Sequence, residues 1–156
     1  MPTPNVYSLL DLLGSFYHPL VGSFTFAGEI GVGSVSFEKS TVRTVLDVAG
    51  DGGIMTSALV GNQGICHVEI QQVSPLQGFL QSWVNALYTH QRAGDVSTWA
   101  AATLRFSSIV DQSTHDCSGV SPTKEPTIVY GPQGAKLTWE LLCADISSVT
   151  AATLNL

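Results

Sequence analysis

Between Ser74 and Asp95 apolar residues return every three or four positions, whereas elsewhere they tend to alternate with polar ones. In "SPLQGFLQSWVNALYTHQRAGD" the residues Leu76, Phe79, Leu80, Trp83, Val84, Leu87 and Tyr88 fall on one stripe of a helix. Its ends carry matching signals. Ser74 is placed to cap the first turn, Pro75 suits the first helical position, and Gln77 stands where a capping-box partner reaches back. Gly94 supplies the left-handed residue that stops the helix. A stripe with two large aromatics needs a surface to lie on, and a half-buried sheet is the expected one.

Alternation marks the strands. In "ICHVEIQQV" Cys66, Val68 and Ile70 share the face expected to meet the helix, and His67, Glu69 and Gln71 share the other. "AKLTWELLCAD" divides the same way, with Leu137, Trp139, Leu141 and Cys143 opposite Thr138 and Glu140. Further strands are expected at Val6–Tyr17, Gly22–Ala27, Val35–Glu38, Thr41–Val48, Ala102–Val110, His115–Ser118 and Pro126–Tyr130.

Two segments depart from this regular pattern. "SVSFEKSTVRTVLDVAGDGG" reads as a strand pair that projects from the sheet, with Glu38, Lys39, Arg43, Asp47 and Asp51 along its length and tip. "HDCSGVSPTKEPTIVYGPQG" carries Pro122, Pro126 and Pro132 and is expected to be a loop holding at most one edge strand. With no internal repeat or linker, residues 1–156 read as one domain.

Composition narrows the function. The chain has 156 residues, 44% apolar and only 12% charged, against about 25% charged in ordinary soluble domains. So little charge suggests permanent assembly, in which neighbouring copies cover apolar area. Twelve acids against six bases give a net charge of -6, opposite to what phosphate neutralisation in a nucleic-acid binder needs. The first residues lack the basic start and small-residue cleavage site of a secretory signal, and three widely spaced cysteines do not make a disulfide framework. Both readings point to a chain made in the cytoplasm with buried thiols.

Chemistry finds little footing. Aligned to a calcium loop, the segment from Asp47 places Ala49 and Ala58 at positions that must supply oxygen. "GEIGVGSVS" lacks the third glycine of a dinucleotide turn and leads into a strand. Adjacent Cys66 and His67 point to opposite faces, so zinc is not favoured, although His115 and Cys117 share a strand face. No nucleophile elbow or cysteine-protease signature is present. Metal, cofactor and catalytic residue are all read as none.

The run "GDGGIMTSALVGNQGICHVEIQQVSPLQGFLQSWVNALY", with "TLRFSSIV" and "GAKLTWELLCADI" after it, resembles the tail tube proteins of contractile-tailed bacteriophages. The resemblance spans about Phe24 to Ser147, and "NVYSLLDLLGSF" is similar to the family's first strand. It implies a mainly β fold, an antiparallel sandwich or barrel with one amphipathic helix on its flank, closing as six copies into a ring. Stacked rings would form a virion tail tube, assembled in host cytoplasm and passing DNA without binding it specifically. The implied partners are the chain itself, the tail sheath, a tape measure protein in the lumen, and baseplate and tail terminator proteins. Under this resemblance the polar set His67, Glu69 and Gln71 supplies the candidate lumen residues, and the acidic character of the chain would repel phosphate. Glu38, Lys39, Arg43, Asp47 and Asp51 are candidates for contacts between rings. The same fold serves the tubes of type VI secretion and contractile injection systems, which stay open as an alternative. A small β-sandwich binding module is the rival from another class.

Overall fold

The computed structural model describes residues 7–28, 30–109 and 112–150. The expected strand ends at Val6 and Val110 lie outside these. Among the described residues nine strands and one α-helix follow one another as β1 (Leu12–His18), β2 (Gly22–Ala27), β3 (Val32–Lys39), β4 (Thr44–Val48), β5 (Ile54–Ala58), β6 (Gly64–Gln71), α1 (Pro75–Arg92), β7 (Ala102–Ser108), β8 (Ser113–Lys124) and β9 (Lys136–Thr150). Seven strands form one antiparallel sheet in the order β2-β1-β7-β8-β9-β6-β3, and β4 and β5 pair only with each other.

Alternation decides which face of the sheet is buried. Cys66, Val68 and Ile70 of β6 and Leu137, Trp139, Leu141 and Cys143 of β9 are all buried, as their period of two requires. They meet Leu76, Leu80, Trp83, Val84 and Leu87 of the helix in one core. The sheet curls into a half-barrel, so that its ends converge over its middle. Phe37 of β3 lies edge-on to Phe106 of β7 with centroids 5.4 Å apart, and Phe26 of β2 reaches Phe106 at 4.7 Å. The helix packs against β2 and β6, the flanks of the curl. Phe16 of β1 holds it through edge contacts to Phe79 and Trp83.

The helix ends follow their sequence signals, with one difference. The Ser74 side chain accepts from the Leu76 N–H at 3.2 Å, and Pro75 opens the first turn. At the other end the Gly94 N–H donates to the Gln91 carbonyl and the Asp95 N–H to that of His90, a Schellman closure with Gly94 at φ +82. Gln77, however, does not reach back to the cap. Its Oε1 accepts from the Trp139 indole N–H at 2.7 Å, a buried donor that would otherwise lack a partner, while the Ser74 N–H is already satisfied by the Gln71 carbonyl at 3.0 Å.

Four strand expectations are corrected. Within the strand expected at Val6–Tyr17, Leu9–Asp11 forms a 3-10 turn capped by the Ser8 side chain, and the strand begins only at Leu12. The charged segment is not a β3–β4 pair: β3 joins β6, with Phe37 opposite Cys66, and the projecting hairpin is β4–β5. The chain turns at residues 49–53, where the Ala49 N–H donates to the Gly53 carbonyl and the Gly52 N–H to that of Ala49. The strand expected at His115–Ser118 does not stop there but runs on to Lys124, so residues 119–124 are strand, not loop. Pro122 is tolerated because β7 leaves the ladder at Ala102 opposite Val120, so beyond Val120 β8 has a neighbour only in β9. Pro126–Tyr130, expected as a strand, pairs with none of the described residues.

Candidate functional site

Opposite the core, the outer face of β3, β6 and β9 carries the polar half of each alternation. His67, Glu69 and Gln71 stand together on it, partly or well exposed. Register sets their neighbours. His67 lies between Ser36 of β3 and Glu140 of β9, and Lys124 of β8 comes next beyond Glu140. Glu69 lies between Ser34 and Thr138, and Gln71 is opposite Lys136. The His67 Nδ1 is 3.9 Å from the Glu140 carboxylate, and the Lys136 ammonium is 3.6 Å from that of Glu69. Such half-exposed pairs contribute at most about 1 kcal/mol each, so the face is a hydrated ionic surface and not a rigid network.

The second set of candidates is dispersed. Glu38 sits on the same outer face as His67 and Glu69, opposite Ile65, and Lys39 ends β3 opposite Gly64. Arg43 donates from Nη2 to the Asn62 side chain at the foot of the hairpin. Asp47 is midway along β4 opposite Met55, and Asp51 accepts from the Gly53 N–H at 2.9 Å within the turn. All five are exposed and mark a path from sheet edge to hairpin tip.

Sequence reasoning missed the apolar side of this projection. Thr44, Leu46 and Val48 of β4 share a face with Ala58, Thr56 and Ile54 of β5. Val48 and Ile54 are directly paired, yet 60% and 69% exposed. A two-stranded hairpin is marginal in water without a covering surface. The signal was available in the alternation of "TVLDV" and "IMTSA", but reading β3 as the partner of β4 hid it.

The thiols are core groups. Burial pushes the Cys66 thiol well above its ordinary range, with the nearby Cys143 adding to the effect. A hydrogen bond with Cys143, and then burial, pushes Cys117 up, and the same bond pulls Cys143 down. His115 and Cys117 do not converge on a site, since Cys117 enters the core while the His115 ring stacks on Phe37 at 4.8 Å and meets the Ser148 hydroxyl at 2.8 Å. Among the described residues no three His, Cys, Asp or Glu are arranged to hold a metal ion, and no helix is long and apolar enough to cross a membrane.

Comparison with known proteins agrees with this arrangement. The family profile described as Bacteriophage PhiTE tail tube protein matches residues 5–150. No curated protein matches the chain in sequence. The fold is similar to a chain of the PVC extracellular contractile injection system, in its sheath–tube complex in the extended state. That similarity has a TM-score of 0.58 at 14% identity, over 92% of this chain and 90% of the other. A chain of the PVC sheath/tube terminator in the extended state gives 0.59 at 15%, over 96% and 97%. A chain of the anti-feeding prophage baseplate gives 0.59 at 18%, over 96% and 97%.

Proposed function

The chain belongs to the Bacteriophage PhiTE tail tube protein family, which makes it a tail tube protein of a phage or contractile injection system, and from that premise we propose that six copies close into a ring and rings stack into a tube. One observation carries the reading beyond the family. The seven-stranded sheet curls but does not close, leaving β2 and β3 as edges without a strand partner among the described residues. Open edges are aggregation templates unless they are covered, and a ring of identical copies covers all of them by one repeated contact.

In this ring the polar face of β3, β6 and β9 lines the lumen. His67, Glu69 and Gln71 lie there with Glu38, Glu140, Lys124 and Lys136, so passing DNA meets a hydrated face of three carboxylates against two lysines, one of them paired with Glu69, instead of a strongly basic lining that would hold phosphates. The helix side faces outward, where a sheath would lie. A tape measure protein would occupy the lumen during assembly, and baseplate and terminator proteins would meet the two tube ends. Sheath–tube, terminator and baseplate assemblies among the solved neighbours support the sheath, terminator and baseplate partners. No step of the reading needs catalysis.

A second reading follows from the same neighbours: the tube belongs to an injection particle that carries effector protein instead of a genome. Particle content separates the two. Purified particles holding this chain and nuclease-protected DNA fit the virion reading, and particles without DNA that hold protein cargo fit the other. Native mass measurement tests the shared claim, with multiples of six chains of 16.5 kDa expected as concentration rises. A single-chain mass at every concentration would overturn it.

A further inference from the structure

Where the half-barrel fails to close, two cavities of about 220 and 370 Å³ stand in line. Leu9 and Leu12 border both of them, and the run from Ile30 to Val35 forms the opposite wall. Successive strand residues point to opposite faces, so a wall of consecutive residues follows an edge of β3, and the edge that β6 leaves open is the only one available. Ser113 and His115 of β8 line the larger cavity. Ser113 is also where the ladder with β9 ends, opposite Thr150, so β9 stops at the rim of this groove.

The sequence beyond Thr150 suits the groove. Ile146 is buried and Ser148 meets His115, so the even positions at the end of β9 face the inside of the curl. Residues 151–156, which lie outside those described, read Ala-Ala-Thr-Leu-Asn-Leu. Continued alternation sets Ala152, Leu154 and Leu156 on the inner side and Thr153 and Asn155 on the other. No charged side chain follows Asp145. Extended, this stretch reaches about 20 Å, the length of the run from Ile30 to Val35.

We propose that residues 151–156 fold back over the groove of their own chain as a strap on the free edge of β3, entering beside Ser113 and running toward Ile30, with Leu154 and Leu156 filling the cavities. Its consequence rests on the tube reading, in which ring closure uses the β3 edge: the strap covers that edge in the free subunit and gives way to the neighbouring copy. A covered edge keeps free chains from pairing at random. Tethered by β9, the strap competes with an incoming copy at an effective concentration on the order of 1 mM, so rings close only where subunits are gathered.

The test compares the full chain with one ending at Thr150. In dilute solution, removal of residues 151–156, Leu154→Asp and Leu156→Asp should each lower the melting temperature by a few degrees, while Asn155→Asp leaves it unchanged. The shortened chain should form rings at a lower concentration than the full one. The full chain carrying Leu9→Cys and Leu154→Cys, treated with a short bis-maleimide, should gain one linker within a single copy, since the native thiols are buried. Equal melting of the Leu154 and Asn155 variants, a linked dimer in place of a linked single chain, or no linking at all would overturn the strap. Should the paired cysteines prevent folding, the melting comparison decides. Linking without any change in the ring-forming concentration would overturn the strap's hold on ring closure. Absence of rings from every chain would overturn the tube reading, and melting and linking would still decide the strap.

Discussion

The indole N–H of Trp139, near the start of β9, donates to the side-chain carbonyl of Gln77 at 2.7 Å and so fastens the first turn of the helix to the sheet. Trp139 is fully buried, and its donor has lost water entirely. Gln77→Leu should therefore destabilise the subunit by about 1–3 kcal/mol, the cost of a buried donor left without an acceptor. In a chain of this length that lowers Tm by several degrees. Gln77→Glu keeps an acceptor and should melt close to the unaltered chain. Thermal unfolding followed by circular dichroism reads both.

A steric prediction concerns the bend shared by β8 and β9. Gly119 has φ +63, and a Cβ there would stand 2.6 Å from the Ala144 Cβ. Gly119→Ala combines a left-handed backbone, costing about 1–2 kcal/mol, with a clash against an atom that cannot swing aside. Adding Ala144→Gly removes the clash and should restore part, not all, of the loss. If the double variant is no more stable than the single, the clash is not the cause.

The thiols predict an alkaline limit. Cys66 is held protonated by burial in the folded chain, whereas in the unfolded chain it ionises near its ordinary value of about 9.0. Above that pH the unfolded state binds fewer protons at this thiol than the native one, so the Cys66 contribution is constant below about pH 9 and falls as pH rises beyond it. Chemical denaturation between pH 7 and pH 10.5 measures this, and Cys66→Ser should flatten the slope. The buried thiols should also resist maleimide in the native state and react fully after unfolding.

How much of this was readable in the sequence depends on the range of the forces involved. The helix was legible with both ends, because its stripe, Ser74, Pro75 and Gly94 all act within a few residues. The faces of β6 and β9 were legible for the same reason, since alternation is local. Pairing was not. That β3 joins β6, and that β8 runs through Pro122, depends on which strand lies alongside, and strand propensity carries no such address. Gln77 was misread because its partner lies 62 positions away. For the candidate site, the grouping of His67, Glu69 and Gln71 followed from alternation, while their neighbours Lys136 and Glu140 needed the register.

The isolation of the hairpin yields a prediction about division of labour. Among the described residues β4 and β5 pair with no other strand, and their residues contribute nothing to the buried core. Replacing residues 44–58 by a short Gly-Ser linker should leave Tm within a few degrees of the unaltered chain while abolishing tubes. A large loss of stability would show that the hairpin serves the fold of its own subunit.

Charge on the proposed lumen face is separable from folding. Glu69 is partly exposed and its pairing with Lys136 is weak, so Glu69→Lys should change stability by less than about 1 kcal/mol and leave assembly intact. In particles it should slow DNA release, and more so at low salt, where attraction to phosphate is least screened. Unchanged release at every salt concentration would remove Glu69 from the lumen.

Image averages of the purified chain at high concentration in negative stain test the central claim most directly. The account predicts six-fold rings with an open centre and, with longer incubation, stacks of those rings. Uniform monomers, or aggregates without rotational symmetry, would contradict it.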